Sequence, residues 1–245
     1  MRFMLYNLRY CTGTGRAFHL PFPGSGYLRR TTRNLHKITQ FIQNQRPDIV
    51  GLIEVDSGSY RSRRLNQADV IAQTLGYHQC FESKYAEGSL ARVLPVLGKQ
   101  INALLTSRAI HAVRFHYFER GVKRLVIEME LQKLTVFLVH LSLKYRHRQD
   151  QLRHLSALVR NVKKPYIVAG DFNARWGERE VELFLEATRL RNATPDGAPS
   201  YPSWAPRKQL DFILHSHDIR VTHFEMPPVI FSDHLPLICD FEFRK

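Results

Sequence analysis

Short apolar runs alternate with longer segments of helical periodicity, and this order constrains the fold more than any other feature. Runs typical of β-strands cover residues 3–8, 49–53, 102–107, 124–131, 134–140, 166–169, 210–214, 221–224 and 237–243. Apolar residues at helical spacing cover residues 35–46, 67–75, 149–162 and 180–189. The adjacent runs at 124–131 and 134–140 predict a hairpin, and hence antiparallel pairing. We expect an α/β fold with two mixed sheets packed together and helices outside.

No repeat, low-complexity tract or linker interrupts this order, so we expect one domain over residues 1–245. The chain has three cysteines, Cys11, Cys80 and Cys239, which lie far apart in the sequence. An odd number at this spacing predicts neither a disulfide framework nor a zinc site. The N-terminus lacks the apolar segment of a secretory signal. We expect a cytoplasmic protein, with peripheral membrane association left open; the sequence does not give the oligomeric state.

Positive charge is concentrated in two regions of the chain. The formal net charge is +14. Residues 1–64 carry 11 Lys and Arg against 3 Asp and Glu, and residues 141–164 carry 7 against 1. Such a field favours a polyanionic partner, either nucleic acid or an anionic membrane surface. The alternative is a surface whose charge only serves solubility.

Acids, amides and histidines lie at the ends of the apolar runs. They are Asn7, Glu54, His140, Asp171, Asn173, Asp211, Asp233 and His234. Each residue alone is also compatible with a turn or with an edge position that satisfies hydrogen bonds, but the joint occurrence favours a common site. Since side chains two apart on an extended chain point the same way, Asp171 and Asn173 are expected to face that site together.

Carboxylate and amide oxygens dominate this set, which predicts a hard cation. Such ligands favour Mg²⁺ or Mn²⁺, whereas zinc usually requires more nitrogen or sulfur. Crowded carboxylates also need a cation or a proton to be stable. A bound cation can polarise a phosphoryl oxygen, while a carboxylate and a histidine activate water and stabilise the leaving oxygen. The set therefore predicts hydrolysis of phosphate esters.

The order and spacing of these motifs resemble the endonuclease/exonuclease/phosphatase superfamily, which has the deoxyribonuclease I-like fold. The matching segments are Tyr6-Asn7, residues 48–54, Val139-His140-Leu141, Gly170-Asp171-Phe172-Asn173, residues 210–213 and residues 232–236. The resemblance implies a four-layer αββα sandwich of two mixed, mainly antiparallel sheets flanked by helices, with the site at one edge. The Val-His-Leu setting of His140 resembles one branch of the family. That branch contains deoxyribonuclease I, sphingomyelinases, 5-phosphatases and tyrosyl-DNA phosphodiesterases.

The metal ligands follow from the resemblance. It implies that Glu54 is the principal ligand, helped by Asn7 and Asp233. Ile53 stands where many members have Gln, so the support of Glu54 is expected to differ here.

The resemblance also implies roles in the reaction. Asp171 and Asn173 would orient and activate the attacking water or contact the phosphate. His234, backed by Asp211, would be a second acid/base or phosphate-stabilising group, and the choice of base between Asp171 and His234 stays open. His140 would assist the phosphate or the leaving group.

Two further positions are candidates for binding the substrate phosphate. Asn102 opens a segment similar to one that is common in smaller family members, although Ile101 stands where Gly is usual. Arg120 precedes Gly121 in a turn before a strand. A purely structural role in the turn or in satisfying backbone groups is the alternative for both.

The substrate class is predicted from the segments near the site. Residues 12–31 mix aromatic side chains with arginines, a combination that can stack on bases or enter a lipid interface. Residues 201–207 are a candidate wall of the cleft, and the basic residues 144–148 follow His140. We expect a nuclease acting on DNA or RNA, with a phospholipid, phosphoinositide or sphingomyelin-type phosphoesterase as the alternative. A non-catalytic binding module is a remote third.

Overall fold

Two six-stranded sheets form the centre of the protein in a computed structural model, which describes residues 1–14, 25–85, 88–89, 92–175, 179–194 and 197–244, with the backbone alone at 25, 27 and 179. The first sheet contains β1 (Arg2–Asn7), β2 (Ile49–Asp56), β3 (His78–Ser83), β4 (Gln100–Thr106), β11 (Ile219–Glu225) and β12 (Leu237–Phe243). The second contains β5 (Ala112–Tyr117), β6 (Leu125–Glu130), β7 (Thr135–His140), β8 (Tyr166–Asp171), β9 (Arg191–Asn192) and β10 (Asp211–His215).

Strand pairing is mixed but mainly antiparallel in both sheets. The spatial orders are β11-β12-β1-β2-β4-β3 and β5-β6-β7-β8-β10-β9. Among the described strands, the parallel pairs are β1 with β2 and β7 with β8. β6 and β7 form the predicted antiparallel hairpin.

Helices cover the outer face of each sheet. Helices α1 (Thr32–Gln45) and α2 (Gln67–Leu75) pack on the first sheet, and α3 (Tyr145–Val159) and α4 (Arg179–Thr188) pack on the second. Apolar side chains such as Leu5, Ile127 and Leu138 fill the space between the sheets. Each such buried side chain contributes about 1.5–3 kcal/mol. The predicted four-layer αββα sandwich is confirmed. Within the described residues, no helix has the length and apolar character needed to cross a membrane.

The sequence prediction missed β3, β5 and β9, and burial explains why. β3 and β5 are partly exposed edge strands, and β9 has only two residues. Edge strands need no continuous apolar run, because one side of the ladder meets solvent. Helix α3 also begins at Tyr145, four residues before the predicted start, in a polar first turn that carries no apolar periodicity.

Gly170 allows β7 and β8 to approach closely beside the predicted site. A Cβ at this position would lie 1.9 Å from the backbone oxygen of Val139. We expect Gly170→Ala to lower the free energy of unfolding by about 3 kcal/mol, since the clash is with backbone that cannot move aside. Urea denaturation measures this.

The matched control is Gly76→Ala, at a left-handed position where a Cβ meets nothing within 4 Å. It should cost only about 1 kcal/mol. Equal losses for the two variants would contradict the role of close strand approach at Gly170.

Candidate active site

The predicted residues meet at one edge of the two sheets, which we call the site edge. β1, β2, β7 and β8 end there, and β4, β6, β10 and β12 begin there. The Asn7 side-chain amide, on the first sheet, donates a hydrogen bond of 3.2 Å to Asp171 Oδ2 on the second. The sandwich therefore brings both sheets' polar strand ends into contact.

Asp171 has the most partners in the site. Its Oδ2 lies 3.2 Å from Asn7 Nδ2, 3.3 Å from His140 Nε2 and 4.0 Å from His234 Nε2. Burial acts to raise the pKa of this carboxyl, but the hydrogen bond and charge of His140, together with His234 and Lys123, hold it well below its usual range. Asp171 is therefore an anion at neutral pH.

Asn173 differs from its predicted backbone conformation. Its φ is +52°, so the chain turns after β8 instead of continuing extended. The Asn173 backbone N–H donates to Asp171 Oδ1 at 2.9 Å, and its side-chain amide donates to the Leu141 carbonyl at 2.9 Å. Asn173 thus orients Asp171 and fixes the chain after β7. The extended conformation on which the prediction rested is therefore absent, and the prediction that the Asn173 side chain faces the site beside Asp171 stays a prediction.

Glu54 lies within a strand, at a β-bulge, and not after a strand as predicted. β2 continues to Asp56, and its register with β4 shifts between Leu52 and Val55. Glu54 has a φ of +55°, a strained value of the kind that clusters at functional sites. A bulge of this kind redirects a side chain at the rim of a sheet.

Asn102 lies opposite this bulge and is fully buried. Its Oδ1 accepts a hydrogen bond of 3.3 Å from the Glu54 backbone N–H, and its Nδ2 is buried without a hydrogen-bond partner among the described residues. Asn102 therefore supports the bulge. Its predicted contact with phosphate stays a prediction, for which the unpaired Nδ2 is a suitable donor.

Lys123 is a site residue that the sequence analysis missed. Its Nζ lies 3.7 Å from Glu54 Oε1 and contacts His140 Nε2. Burial acts to raise the pKa of Glu54, but the charges of Lys123, His140 and Lys84 lower it below its usual range. The Arg-Gly motif pointed to the correct loop, and nothing in the sequence distinguished Lys123 from its basic neighbours.

Arg120, the residue that was predicted in this loop, lies away from these contacts. Its side chain is 71% exposed and its Nη1 lies 3.5 Å from Asp150 Oδ2. Gln151 holds the loop by donating to the backbone oxygens of Arg120 at 2.9 Å and Lys123 at 2.8 Å. A substrate contact of Arg120 stays a prediction.

The two histidines have opposite protonation states at neutral pH. Burial, reinforced by Lys123, lowers the pKa of His140 to about 4 despite the opposing influence of Asp171. Burial also acts to lower the pKa of His234, but Asp211, whose Oδ2 lies 2.7 Å from His234 Nδ1, raises it to about 10. His140 is therefore neutral, and His234 is an imidazolium.

Asp211 accepts a hydrogen bond from a serine in addition to its contact with His234. The Ser200 hydroxyl donates to Asp211 Oδ2 at 2.6 Å. The ring of Tyr201 lies against that of His234, with centroids 4.9 Å apart. The predicted cleft wall at 201–207 therefore reaches the site, and its Trp204 is 51% exposed.

Asp233 pairs with Arg9, a second residue that the sequence analysis missed. Asp233 Oδ2 lies 3.3 Å from Arg9 Nη1, and burial raises the pKa of Asp233 despite His234 and Arg9. The Arg9 backbone N–H donates to Asn7 Oδ1 at 3.0 Å. Arg9, Tyr10 and Cys11 all have left-handed φ values. The left-handed conformation costs about 1–2 kcal/mol for each non-glycine residue. Backbone strain of this kind clusters at functional sites.

The donor atoms fit a hard cation, although they are grouped differently from the predicted ligands. Carboxylate oxygens of Asp171 and Asp211 lie within 4.8 Å of each other, and Asp211 Oδ1 is buried without a partner among the described residues. The predicted ligands instead contact Arg9, Asp171, Lys123 and His140. Oxygen donors still dominate, which favours Mg²⁺ or Mn²⁺. The ligand roles of Asn7, Glu54 and Asp233 stay predictions.

The remaining predicted substrate contacts lie in the aromatic and basic loop at residues 12–31 and in the basic stretch at residues 144–148. Residues 15–24 of the aromatic and basic loop, with Phe18 and Phe22, lie outside the described residues. Arg148 is buried, and its Nε donates to Glu180 Oε2 at 2.6 Å, so it supports α3 and α4 and is not available as surface charge. Lys144 and Arg146, in the same stretch, are exposed.

Comparison with known proteins gives the family. A family model described as Endonuclease/Exonuclease/phosphatase family matches residues 4–234. The chain belongs to this family. Its enzymes are metal-dependent phosphoric ester hydrolases, which confirms the chemical class that the strand-end residues predicted.

Individual relatives are more distant. Nocturnin of Mus musculus is 32% identical over a match that covers 39% of this chain and 29% of the relative, so the chain spans less than a third of its length. The human Nocturnin catalytic domain, solved with bound sulfate, is 25% identical with a TM-score of 0.71, over 100% of this chain and 94% of that domain. An endonuclease/exonuclease/phosphatase from Beutenbergia cavernae shares the fold, at 18% identity and a TM-score of 0.76, over 99% and 71% of the two chains.

Asp211→Asn should destabilise the metal-free protein in a pH-dependent way. The folded pKa of His234, about 10, lies above its unfolded value of about 6.5. While Asp211 is ionised, the stabilisation is therefore fully present below about pH 6.5 and is lost as the pH rises towards about 10. We expect the loss of unfolding free energy in the variant to be greatest near pH 6, measured by urea denaturation with a chelator.

Asp218→Asn is the control, since Asp218 is a partly exposed acid beside His217 in a turn at the edge of the sandwich opposite the site edge. Its effect should be small throughout. A loss in Asp211→Asn that does not change with pH would contradict the imidazolium assignment.

Proposed function

We propose that this chain is a divalent-metal-dependent phosphodiesterase that hydrolyses its substrate by attack of water. The observation that carries the proposal is the convergence of oppositely protonated histidines on one buried, anionic carboxylate, Asp171. Such an arrangement provides a proton acceptor and a cationic proton donor within a few ångströms of each other.

Asp171 orients the attacking water in this proposal. It is anionic, and Asn7 and the Asn173 backbone N–H orient its two oxygens. His234 already carries its proton, so it can donate to the leaving oxygen or stabilise negative charge on phosphate, with Asp211 holding the ring. A divalent cation, when bound, supplies polarisation of the phosphoryl oxygen.

Nucleic acid is one substrate class that fits this chemistry. The net charge of +14 and the exposed Lys144 and Arg146 beside the site support attraction of a polyanion. The family's description includes endonucleases and exonucleases. We therefore keep cleavage of DNA or RNA as the first activity to test.

An amphiphilic phosphoester, such as a phospholipid, is the second class. A specific observation favours it: apolar side chains in the loops around the site are exposed to solvent, among them Val122 at 68%, Ile230 at 55% and Trp204 at 51%. Exposed apolar patches commonly mark a surface that binds an apolar partner.

A hydrolysis panel tests the proposal. Purified protein with Mg²⁺ or Mn²⁺ is incubated with plasmid DNA, single-stranded DNA, RNA and phospholipid vesicles. We expect Glu54→Gln and His234→Ala to lower the rate on the preferred substrate by about 10² or more, because one removes a carboxylate charge and the other the proton donor.

Glu119→Gln is the matched control, because Glu119 is exposed in the loop that carries Lys123. It should retain the parental rate. Unchanged rates in both site variants would overturn the proposal and leave a binding module that only keeps the fold.

A further inference from the structure

Large apolar side chains that are more than half exposed are concentrated around the site edge. Most of them lie in connections between strands or helices that begin or end at this edge. We call the following set the apolar rim: Leu28, Tyr60, Val122, Leu143, Trp204 and Ile230. Val93 lies in another connection at this edge, and Tyr145 begins α3 close to Leu143.

The edge of the sandwich opposite the site edge, which we call the far edge, differs in its exposed side chains. Its connections, at residues 46–48, 76–77, 107–111, 131–134, 160–165, 189–190 and 216–218, all lie in the described part of the chain and contain no large apolar side chain of this exposure. Within the same part, the exception away from the site edge is Leu183 on α4, at 68% exposure. The distribution is therefore specific to one edge.

Buried polar contacts hold the first part of the rim in place. Arg61 and Asp56 are fully buried, and Arg61 Nη2 donates to Asp56 Oδ2 at 2.8 Å beneath the turn that carries Tyr60. The Tyr60 hydroxyl donates to the Leu28 carbonyl at 2.8 Å, which joins the two rim residues. Their exposure therefore comes from a fixed turn.

Hydrogen bonds also fix the loops that carry Val122, Leu143 and Trp204. Gln151 donates to the Lys123 carbonyl next to Val122 at 2.8 Å, and Arg148 Nη1 donates to the Leu143 carbonyl at 3.0 Å. Near Trp204, the Ser203 backbone N–H donates to the Asp233 carbonyl at 2.8 Å. These are buried or partly buried bonds to the same loops that hold the site residues, so rim and site form one fixed surface.

Cationic side chains lie between the rim residues. Arg29 and Arg30 follow Leu28, Arg63 and Arg64 follow Tyr60, and Lys144 follows Leu143; all are exposed. The surface around the site therefore combines apolar side chains with positive charge.

We propose that the apolar rim docks the site edge onto an anionic lipid surface. Leu, Ile and Val gain by entering the boundary between headgroups and acyl chains, where Trp and Tyr are also favoured. Interspersed Arg and Lys strengthen binding to anionic lipid roughly fivefold each. A nucleic-acid surface would instead be expected to rely on stacking aromatics in a cationic groove. The inference rests on the phosphoester hydrolysis proposed above and selects the amphiphilic substrate class.

Vesicle flotation tests the docking. We expect the protein to float with phosphatidylcholine vesicles that contain about 30% phosphatidylglycerol, and at least about tenfold less with phosphatidylcholine alone. The triple variant Val122→Ser, Leu143→Ser, Ile230→Ser should bind the anionic vesicles at least about tenfold more weakly. Leu183→Ser, which removes an equally exposed side chain off the rim, should bind like the parent.

Charge reversal is a second arm of the test. Lys144→Glu with Arg146→Glu, beside Leu143, should weaken binding to anionic vesicles about tenfold or more. Lys133→Glu with Lys163→Glu makes the same change in charge at two exposed far-edge positions. The far-edge pair should have a much smaller effect.

Hydrolysis of the soluble diester bis(4-nitrophenyl) phosphate separates this inference from the proposed function. With Mg²⁺ or Mn²⁺, the rim variant should hydrolyse it at the parental rate while losing vesicle binding. The docking proposal is overturned if the parent does not prefer anionic vesicles, if Leu183→Ser loses as much binding as the rim variant, or if the rim variant loses only binding to a DNA duplex. In each case, retained hydrolysis of the soluble diester leaves the proposed function standing.

Discussion

The hydrogen bond between Asn7 and Asp171 connects the two sheets at the site edge, where the residues of the site meet. It places the end of β1 against the end of β8. The parallel pairing of β7 with β8 then sets His140 directly opposite Asp171. Gly170 makes this pairing possible, because a side chain there would meet the backbone of β7. The site therefore follows from the register of central strands, where rigidity is greatest.

Electrostatic balance is the second constraint. Four carboxylates, from Glu54, Asp171, Asp211 and Asp233, share a largely buried region and would repel one another without compensation. Lys123, Arg9 and the His234 imidazolium supply positive charge in the metal-free state. Lys123 lies against Glu54, the residue predicted to be the principal metal ligand. Binding of a divalent cation is therefore expected to compete with this ammonium for the Glu54 carboxylate.

The sequence predicted the central elements and most of the polar strand ends, because buried strands require apolar runs and the residues that end them stand out. It could not predict the bulge at Glu54, since the extra residue depends on the partner strand. It also missed Lys123 and Arg9, whose roles arise from loop conformations that bring distant segments together. Asn173 was assigned by an alternation rule that does not apply to a residue in a left-handed conformation. The apolar rim has no local signal, because it becomes a surface only when separate loops meet at one edge.

The central claim is that the buried carboxylates at this edge form a divalent-cation site to which Glu54 contributes. Titration of the purified protein with Mn²⁺, followed by the electron paramagnetic resonance signal of the free ion, tests it most directly. The account predicts saturable binding that Mg²⁺ displaces and that Glu54→Gln weakens by about tenfold or more. Absence of saturable binding, or equal binding by the parent and Glu54→Gln, would contradict it.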